Sequence, residues 1–329
     1  MPIITLDNKT GDSLVAGPIT AFLESQDKHL DEQVLNEMVA MFKHSITRQL
    51  MQPRDSRAGR ESNTLYSHPC ARKARYTFDG VARPPVEARA MLKFLLGDMV
   101  ELTVMGMARL AGLDIGCNNM DLYVTCPDGA MVPVHPDGLL NVNGQHYNVE
   151  IKSCDSHTFD RWLGQGGPSD DFGYRTQATV EVAAWRQHGL EVHETVFVAV
   201  STGSRQGSIA EWRLPFEPHL LAQWQARRAL RQQEALPPVP FETEPEYTYF
   251  KGKHLEQDLM QAVSRWGECK PRQNVNGTIY GWDVPTGRRI LPTVCSYCDF
   301  KEECYKGVEM ELKGEKPVWI VPSPRKVAA

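Results

Sequence analysis

Over residues 18–52 apolar side chains recur at helical spacing. Leu35, Met38, Val39, Phe42, Ile46 and Leu50 alternate with polar and charged positions, and the period predicts one amphipathic helix. The run QPRDSRAGRESNT breaks that pattern and reads as a mobile, basic loop. A second helix is expected from Pro85 to Leu110, apolar along most of one face, with Gly112 as its stop. Four short β segments follow: LYVTC, AMVPV, GLLNV and QHYNVEIK. Then come a helix from Tyr174 to His188, an apolar strand ETVFVAVS, and a helix within EPHLLAQWQARRALRQQEAL. PPVPFETEPE reads as a linker. The rest of the chain reads as irregular, with no internal repeat. Helix, antiparallel strands, helix and strand in that order predict an α+β core over residues 86–202. A helical region, 1–85, precedes it, and 203–329 follows with a helix and clustered cysteines.

Within VNGQHYNVEIK, Asn143-Gly144 is a strong signal for a two-residue hairpin turn, because both residues tolerate positive φ. The turn pairs Val142 with Gln145, and continuing the register sets Asp137 opposite Glu150. Directly opposed residues share a face, and Lys152 projects from it too. Leu140, Val142, Tyr147, Val149 and Ile151 form the other, apolar face. One face packs, and the other gathers two acids and a lysine.

The 329 residues carry a formal net charge of −5, which argues against wholesale coating of nucleic acid but leaves room for a local basic groove. MPIITLDNKTGDSLVAG lacks the basic-then-apolar order of a secretory leader. No apolar run approaches membrane-spanning length. A cytoplasmic protein with no membrane association is expected. Eight cysteines are sparse for a disulfide scaffold at this length, and clustered ones suggest metal binding instead.

Two facing carboxylates repel unless a proton or cation intervenes. Mg²⁺ or Mn²⁺ suits such hard oxygen donors and can polarise a phosphoryl group. An adjacent lysine can orient water or stabilise developing negative charge. The same residues also make an ordinary cross-strand ion pair. Glu101, four residues after Gly97, offers a third carboxylate from the preceding helix, and Gln177 on the following helix can bond a phosphate, a base or the lysine. Either is equally well read as a solvated helical residue.

Gly97 to Glu101, HPDG around Asp137, VEIK from Glu150 to Lys152, and then Gln177 together resemble the RecB-like branch of the PD-(D/E)XK nuclease superfamily. The resemblance spans the inferred core. It implies a restriction-endonuclease-like mixed sheet flanked by helices, with a helical N-terminal extension and a cysteine-cluster C-terminal one. It also implies that Glu101, Asp137, Glu150 and the Ile151 carbonyl bind a divalent metal, that Lys152 assists an attacking water, and that Gln177 positions substrate. His135, two residues before Asp137, reads as a neighbour of the metal or phosphate, or as structural. One departure stands out: the family often has Tyr four residues after the Gln, and this chain has Glu181.

CSYCDFKEEC places Cys295, Cys298 and Cys304 near the C-terminus, the first two at a common metal-binding spacing. A fourth ligand must come from elsewhere, either Cys70 or Cys269. Some RecB-like nucleases, among them CRISPR-associated exonucleases and helicase–nuclease subunits, hold an iron–sulfur cluster with one cysteine before the core and three after it. CARKARY and CSYCDFKEEC match that arrangement. The resemblance therefore implies Cys70 and a [4Fe–4S] cluster, whereas spacing alone fits Zn²⁺ equally. Cys117, Cys126 and Cys154 are expected as buried small apolar residues.

Arg72, Lys73, Arg75, Arg288 and Arg289 are candidate phosphate contacts, and Tyr76 and Tyr297 candidate base-stacking residues. The expectation is a divalent-metal-dependent DNA exonuclease of recombination, repair or replication, of the phage type, working alone or with recombination or replication proteins. Alternatives are a CRISPR adaptation nuclease, a non-catalytic DNA-binding or assembly factor that keeps the fold, and a redox protein whose cluster carries electrons.

Overall fold

The structure is a computed structural model that describes residues 13–51, 58–117, 120–203, 208–252, 268–274, 276–313 and 316–322. The expected leaderless N-terminus therefore lies largely outside the described residues, as does half of the expected loop after residue 51. The chain divides into two compact units, Met1–Pro237 and Pro238–Ala329.

In the first unit, α1 (Ala16–Glu24) and α2 (Glu32–Met51) replace the single helix expected over 18–52. Ser25 turns extended at ψ 141°, and Asp31 restarts the helix by accepting from the Gln33 and Val34 amides at 2.8 and 3.3 Å. An Asx cap overrides the continuous apolar period. Val15, the residue before α1, has no capping side chain of its own. Buried Glu211, far along the chain, accepts from the Leu14, Val15 and Ala16 amides at 2.7, 2.9 and 2.7 Å. A carboxylate at that end complements the helix dipole.

Two short helices, α3 (Asn63–Ser67) and α4 (Ala71–Phe78), come next, each capped locally. The Ser62 side chain accepts from the Leu65 amide, and the Cys70 Sγ from the Lys73 amide. α5 (Ala88–Leu110) then leads into β1 (Asp114–Gly116), the β2 (Leu122–Thr125) and β3 (Met131–Val134) hairpin, β4 (Gly138–Val142) and β5 (Gln145–Cys154). After α6 (Ser156–Gln165) and α7 (Tyr174–Gln187) come β6 (Val192–Ser201), β7 (Ile209–Pro215) and α8 (Pro218–Gln232).

The main sheet has the order β1-β4-β5-β6-β7. Only β5 and β6 pair in parallel, joined through α6 and α7, and the other pairs are antiparallel. A parallel neighbour needs such a crossover connection. The protein is thus mixed α+β, with a mixed sheet flanked by helices. Tyr147, Val149 and Ile151 of β5 and Val196 and Val198 of β6 join one core cluster with Val104, Met105 and Ala108 of α5 and with α1. The alternate residues of β5, Asn148, Glu150 and Lys152, therefore project to the opposite face, towards α7. β6 is buried on both sides, which explains its continuous apolar run. β7 and α8, assigned on sequence to a C-terminal region starting at 203, belong to this first unit.

The second unit is a sheet where irregular chain was expected. β8 (Glu244–Lys251), β9 (Lys270–Gln273), β10 (Ile279–Ile290), β11 (Glu309–Lys313) and β12 (Lys316–Val321) pair antiparallel around β10 and β12. Short helices α9 (Thr293–Ser296) and α10 (Lys301–Cys304) interrupt it. Its strands show little apolar alternation, and cross-strand ion pairs accompany the backbone ladders. Arg272 pairs with Asp283, and Arg288 bridges Glu246 and Glu311. Among the described residues no helix is long and apolar enough to cross a membrane.

Gly173 sets the start of α7, and with it the height of the helix over β5. Its φ is 82°, and a Cβ there would stand 2.0 Å from the Ser67 carbonyl oxygen. Gly173→Ala is therefore expected to cost about 1–3 kcal/mol, because both backbone strain and a backbone clash must be relieved. Urea denaturation measures that loss, and an unchanged midpoint would remove this account of α7 placement.

Candidate functional site

The hairpin forms as the turn chemistry dictates. Asn143 and Gly144 adopt φ 53° and 84°, and Val142 pairs with Gln145, Leu140 with Tyr147 and Gly138 with Val149. Asp137, just before β4, accepts from the Ile151 amide at 2.7 Å through Oδ2. The Lys152 ammonium contacts Glu150 Oε1 and stands 3.9 Å from Asp137 Oδ2. Glu150 is 0% exposed, whereas the Lys152 side chain keeps 24% exposure. The two acids and the amine thus meet in the C-terminal half of β5, with Glu150 sealed off and the amine the most open to solvent.

α7 closes the group from the other side. Gln177 Nε2 donates to Glu150 Oε2 at 3.3 Å and to Glu181 Oε1 at 3.0 Å. Glu181 is itself fully buried, and its Oε2 accepts from Asn148 Nδ2 at 2.9 Å. Asn148 Oδ1 in turn accepts from the Trp185 indole at 3.0 Å, and Asn148 Nδ2 also reaches Thr195. Asn148 was not singled out on sequence, and Glu181 was noted only as a departure from the resembled pattern, not as a member of the group. The available signal was an acid in the apolar stretch ATVEVAAW, at helical i,i+4 spacing from Gln177.

Three buried carboxylates surround one ammonium. Burial pushes the Glu150 carboxyl well up, and the charges of Asp137 and Glu181 add to it. Burial also raises Asp137 against the pull of Lys152 and of the Ile151 amide. Glu181 is pushed up to about 7, by burial first and by the charge of Asp137 second. Burial works against the Lys152 ammonium, but Glu150 and Asp137 together outweigh it and hold its pKa above the ordinary value. Were all three acids ionised, the group would carry excess negative charge, which hard cations and protons both answer.

Asp137, Glu150, Lys152 and Gln177 are therefore brought together. On α5, Asp98 is a carboxylate whose charge acts on Asp137, and it accepts from Ser45 and from Gln49 at 2.9 Å. Glu101 is half-buried one turn further along that helix. A Cβ at Gly97 would lie 3.6 Å from Ser153 Oγ, an ordinary contact, so the close approach expected there does not call for glycine. The Ile151 N–H serves Asp137. His135 Nε2 pairs with exposed Asp121 at 2.9 Å, a surface contact on the hairpin of β2 and β3.

Cys70 belongs to the first unit, and Cys269, Cys295, Cys298 and Cys304 to the second. Cys70 is buried at the start of α4, where its amide donates to His68 Nδ1 at 3.2 Å. Burial, with the charges of Lys73 and Arg227, lowers His68 to about 3. Cys295 and Cys298 are buried in one turn, and the Tyr305 hydroxyl lies 3.7 Å from Cys295 Sγ. Among the described residues no three His, Cys, Asp or Glu side chains stand in an arrangement that could hold a metal ion. Cys126 and Cys154 are buried as expected, but Cys117 is exposed with φ 58°.

Four of the arginines expected to meet phosphate have protein partners. Arg72 donates to the Pro237 carbonyl at 2.6 Å, and Arg75 to the Arg231 and Gln233 carbonyls at 3.1 and 2.5 Å. Arg288 holds Glu246 and Glu311, and Arg289 donates to Thr243 at 2.9 Å. These side chains tie the ends of helices and strands together. Tyr76 is half-buried, while Tyr297 is 71% exposed.

No family model matches this chain, and no curated protein does. Among solved structures it is similar to one described as the crystal structure of SSO0001, at 14% identity and a TM-score of 0.39. The alignment covers 60% of this chain and 88% of that one. A likeness that loose carries no argument about function.

The raised acids make stability depend on pH. A carboxyl whose folded pKa lies above its unfolded value stabilises the fold fully below the unfolded pKa, and that contribution is lost as pH rises through the folded one. For Glu181 the window runs from 4.5 to about 7. His68, lowered to about 3, acts in the opposite sense up to its ordinary value of 6.5, so the Glu181 contribution is read as a difference. The melting temperature of the wild type relative to Glu181→Gln should fall across the window, and a difference that stays flat or rises would contradict the assigned direction.

Proposed function

We propose that the chain is a divalent-metal-dependent deoxyribonuclease, an exonuclease acting in DNA recombination, repair or replication, with the PD-(D/E)XK type of core. One observation carries the reading: buried Asp137 and Glu150 and part-exposed Lys152 converge in the C-terminal half of β5, with more acid than the amine can neutralise. Carboxylate oxygens are hard donors, and their excess charge fits Mg²⁺ or Mn²⁺. When bound, such an ion supplies Lewis acidity towards a phosphoryl oxygen. Asp137 and Glu150 would hold it, with Glu101 and the Ile151 carbonyl as the further donors that the sequence resemblance implies. Lys152 would steady an attacking water or the negative charge that develops on the phosphate. Gln177 would help to position the reacting groups.

The cysteines are proposed as a second, structural centre. Cys70, Cys295, Cys298 and Cys304 would hold a [4Fe–4S] cluster, and thiolate sulfur is the donor such a cluster requires. Zinc at the same four thiolates is the competing assignment. A non-catalytic DNA-binding or assembly factor is the competing function, favoured by the direct contact of Lys152 with Glu150.

Digestion of end-labelled single- and double-stranded DNA with Mn²⁺ under anaerobic conditions, with circular controls, tests the activity. Asp137→Ala and Lys152→Ala should each lower the rate about 100-fold or more, with circular dichroism confirming the fold. Equal rates in all three proteins would remove the site assignment. Iron, sulfide and zinc analysis of anaerobically purified protein tests the cluster, and zinc without iron would overturn the cofactor while leaving the nuclease standing.

A further inference from the structure

The hydrogen-bond chain behind Gln177 is directional, and its direction can be derived link by link. An indole N–H only donates, so the Trp185 contact fixes Asn148 with Oδ1 towards the indole and Nδ2 towards Glu181. Glu181 Oε2 is occupied by that amide, and Oε1 faces Gln177 Nε2 at 3.0 Å, with Asn63 Nδ2 at 3.5 Å. The second acceptor of Gln177 Nε2 is Glu150 Oε2 at 3.3 Å. A primary amide has two N–H donors, and both are engaged by carboxylates. With Glu150 and Glu181 ionised, the state a bound divalent cation favours, turning the amide over would set its carbonyl oxygen against two carboxylates.

Resting on the nuclease reading above, we propose that Glu181 is a positioning residue that locks the Gln177 amide so that Gln177 works through its carbonyl oxygen. Non-bridging phosphate oxygens accept hydrogen bonds and have none to give. A Gln177 with both N–H groups held by Glu150 and Glu181 does not donate to them. Its Oε1 accepts instead, and the donor suited to it in such a site is the attacking water, whose lone pair it would help to aim at phosphorus. Gln177 therefore acts on the chemical step rather than on the grip on DNA. Glu181 sits one helical turn away and touches no reacting atom.

The orientation is read by NMR on the full chain labelled with ¹⁵N-glutamine, with Gln177→Leu identifying the Gln177 side-chain signals. In the wild type its two amide protons should exchange with solvent at least about 10-fold more slowly than those of exposed glutamines. Glu181→Leu should release them, and Glu181→Gln, which keeps one acceptor oxygen but turns its own NH₂ towards Gln177 or Asn148, should retain only part of the protection. In steady-state digestion with Mn²⁺, Gln177→Leu and Glu181→Leu should lower kcat about 10- to 100-fold with KM for DNA little changed, and Glu181→Gln should recover part of it.

Unprotected Gln177 protons in the wild type would overturn the proposal, and that measurement needs no variant to fold. So would a raised KM at unchanged kcat in Gln177→Leu, the mark of a phosphate donor. A wild type that cleaves no DNA, yet shows protection lost in Glu181→Leu, would overturn the nuclease reading and leave the amide lock in place.

Discussion

Glu150 has no solvent exposure, so its carboxylate must be neutralised by a proton, by Lys152 or by a cation, and much of the surrounding architecture follows from that demand. Removing the ammonium from such a pair leaves an uncompensated buried charge, typically a cost of about 3–5 kcal/mol. Lys152 reaches Glu150 from the same strand face, two residues on, which requires only an extended backbone. Asp137 is held near by the Ile151 amide, so its position is fixed by the hairpin register rather than by its own charge. A cation entering the group would share the acids with Lys152, while Gln177 and Asn148 keep the far oxygens of Glu150 and Glu181 in place.

The fold provides this arrangement through the two faces of β5. Odd-numbered residues from Tyr147 to Ile151 pack with α5 and α1, and that apolar burial anchors the strand. The even-numbered residues then have to face α7, whose start is set by Gly173 against the Ser67 carbonyl. A shift of one residue in register would turn Glu150 into the apolar core and set Val149 among the acids under α7, so hydrophobic burial and site geometry select the same pairing. The Glu211 carboxylate adds a further restraint by holding the start of α1 on the sheet face opposite Glu150 and Lys152.

What was legible in the sequence had local causes. Asn143-Gly144 names its own turn, and the alternation after it assigns faces, so Asp137, Glu150 and Lys152 could be grouped before any coordinates. The break between α1 and α2 was hidden because Leu30 and Leu35 keep an apolar rhythm through a segment that Asp31 caps. The second unit was hidden for the opposite reason. Its strands are mostly exposed and are joined by ion pairs such as Arg272 with Asp283, which leave no hydrophobic period. Arg72 and Arg75 looked like phosphate contacts because their partners, the carbonyls of Pro237 and Arg231, are more than a hundred residues distant in the chain.

Glu181 was the departure from the resembled pattern, and physically it is the least expected member of the group. A third acid beside two others increases the repulsion that burial already imposes, and an exposed helical position would have avoided it. Its retention inside is explained by what its oxygens do: each accepts an amide, and those amides belong to the strand that carries Glu150 and to the helix turn that carries Gln177. A tyrosine hydroxyl at that position has one oxygen and one proton, so it could not accept from both amides in the same way. The carboxylate therefore links β5 to α7 across the face that holds Lys152. The same acid that raises the electrostatic cost of the group also fixes its geometry.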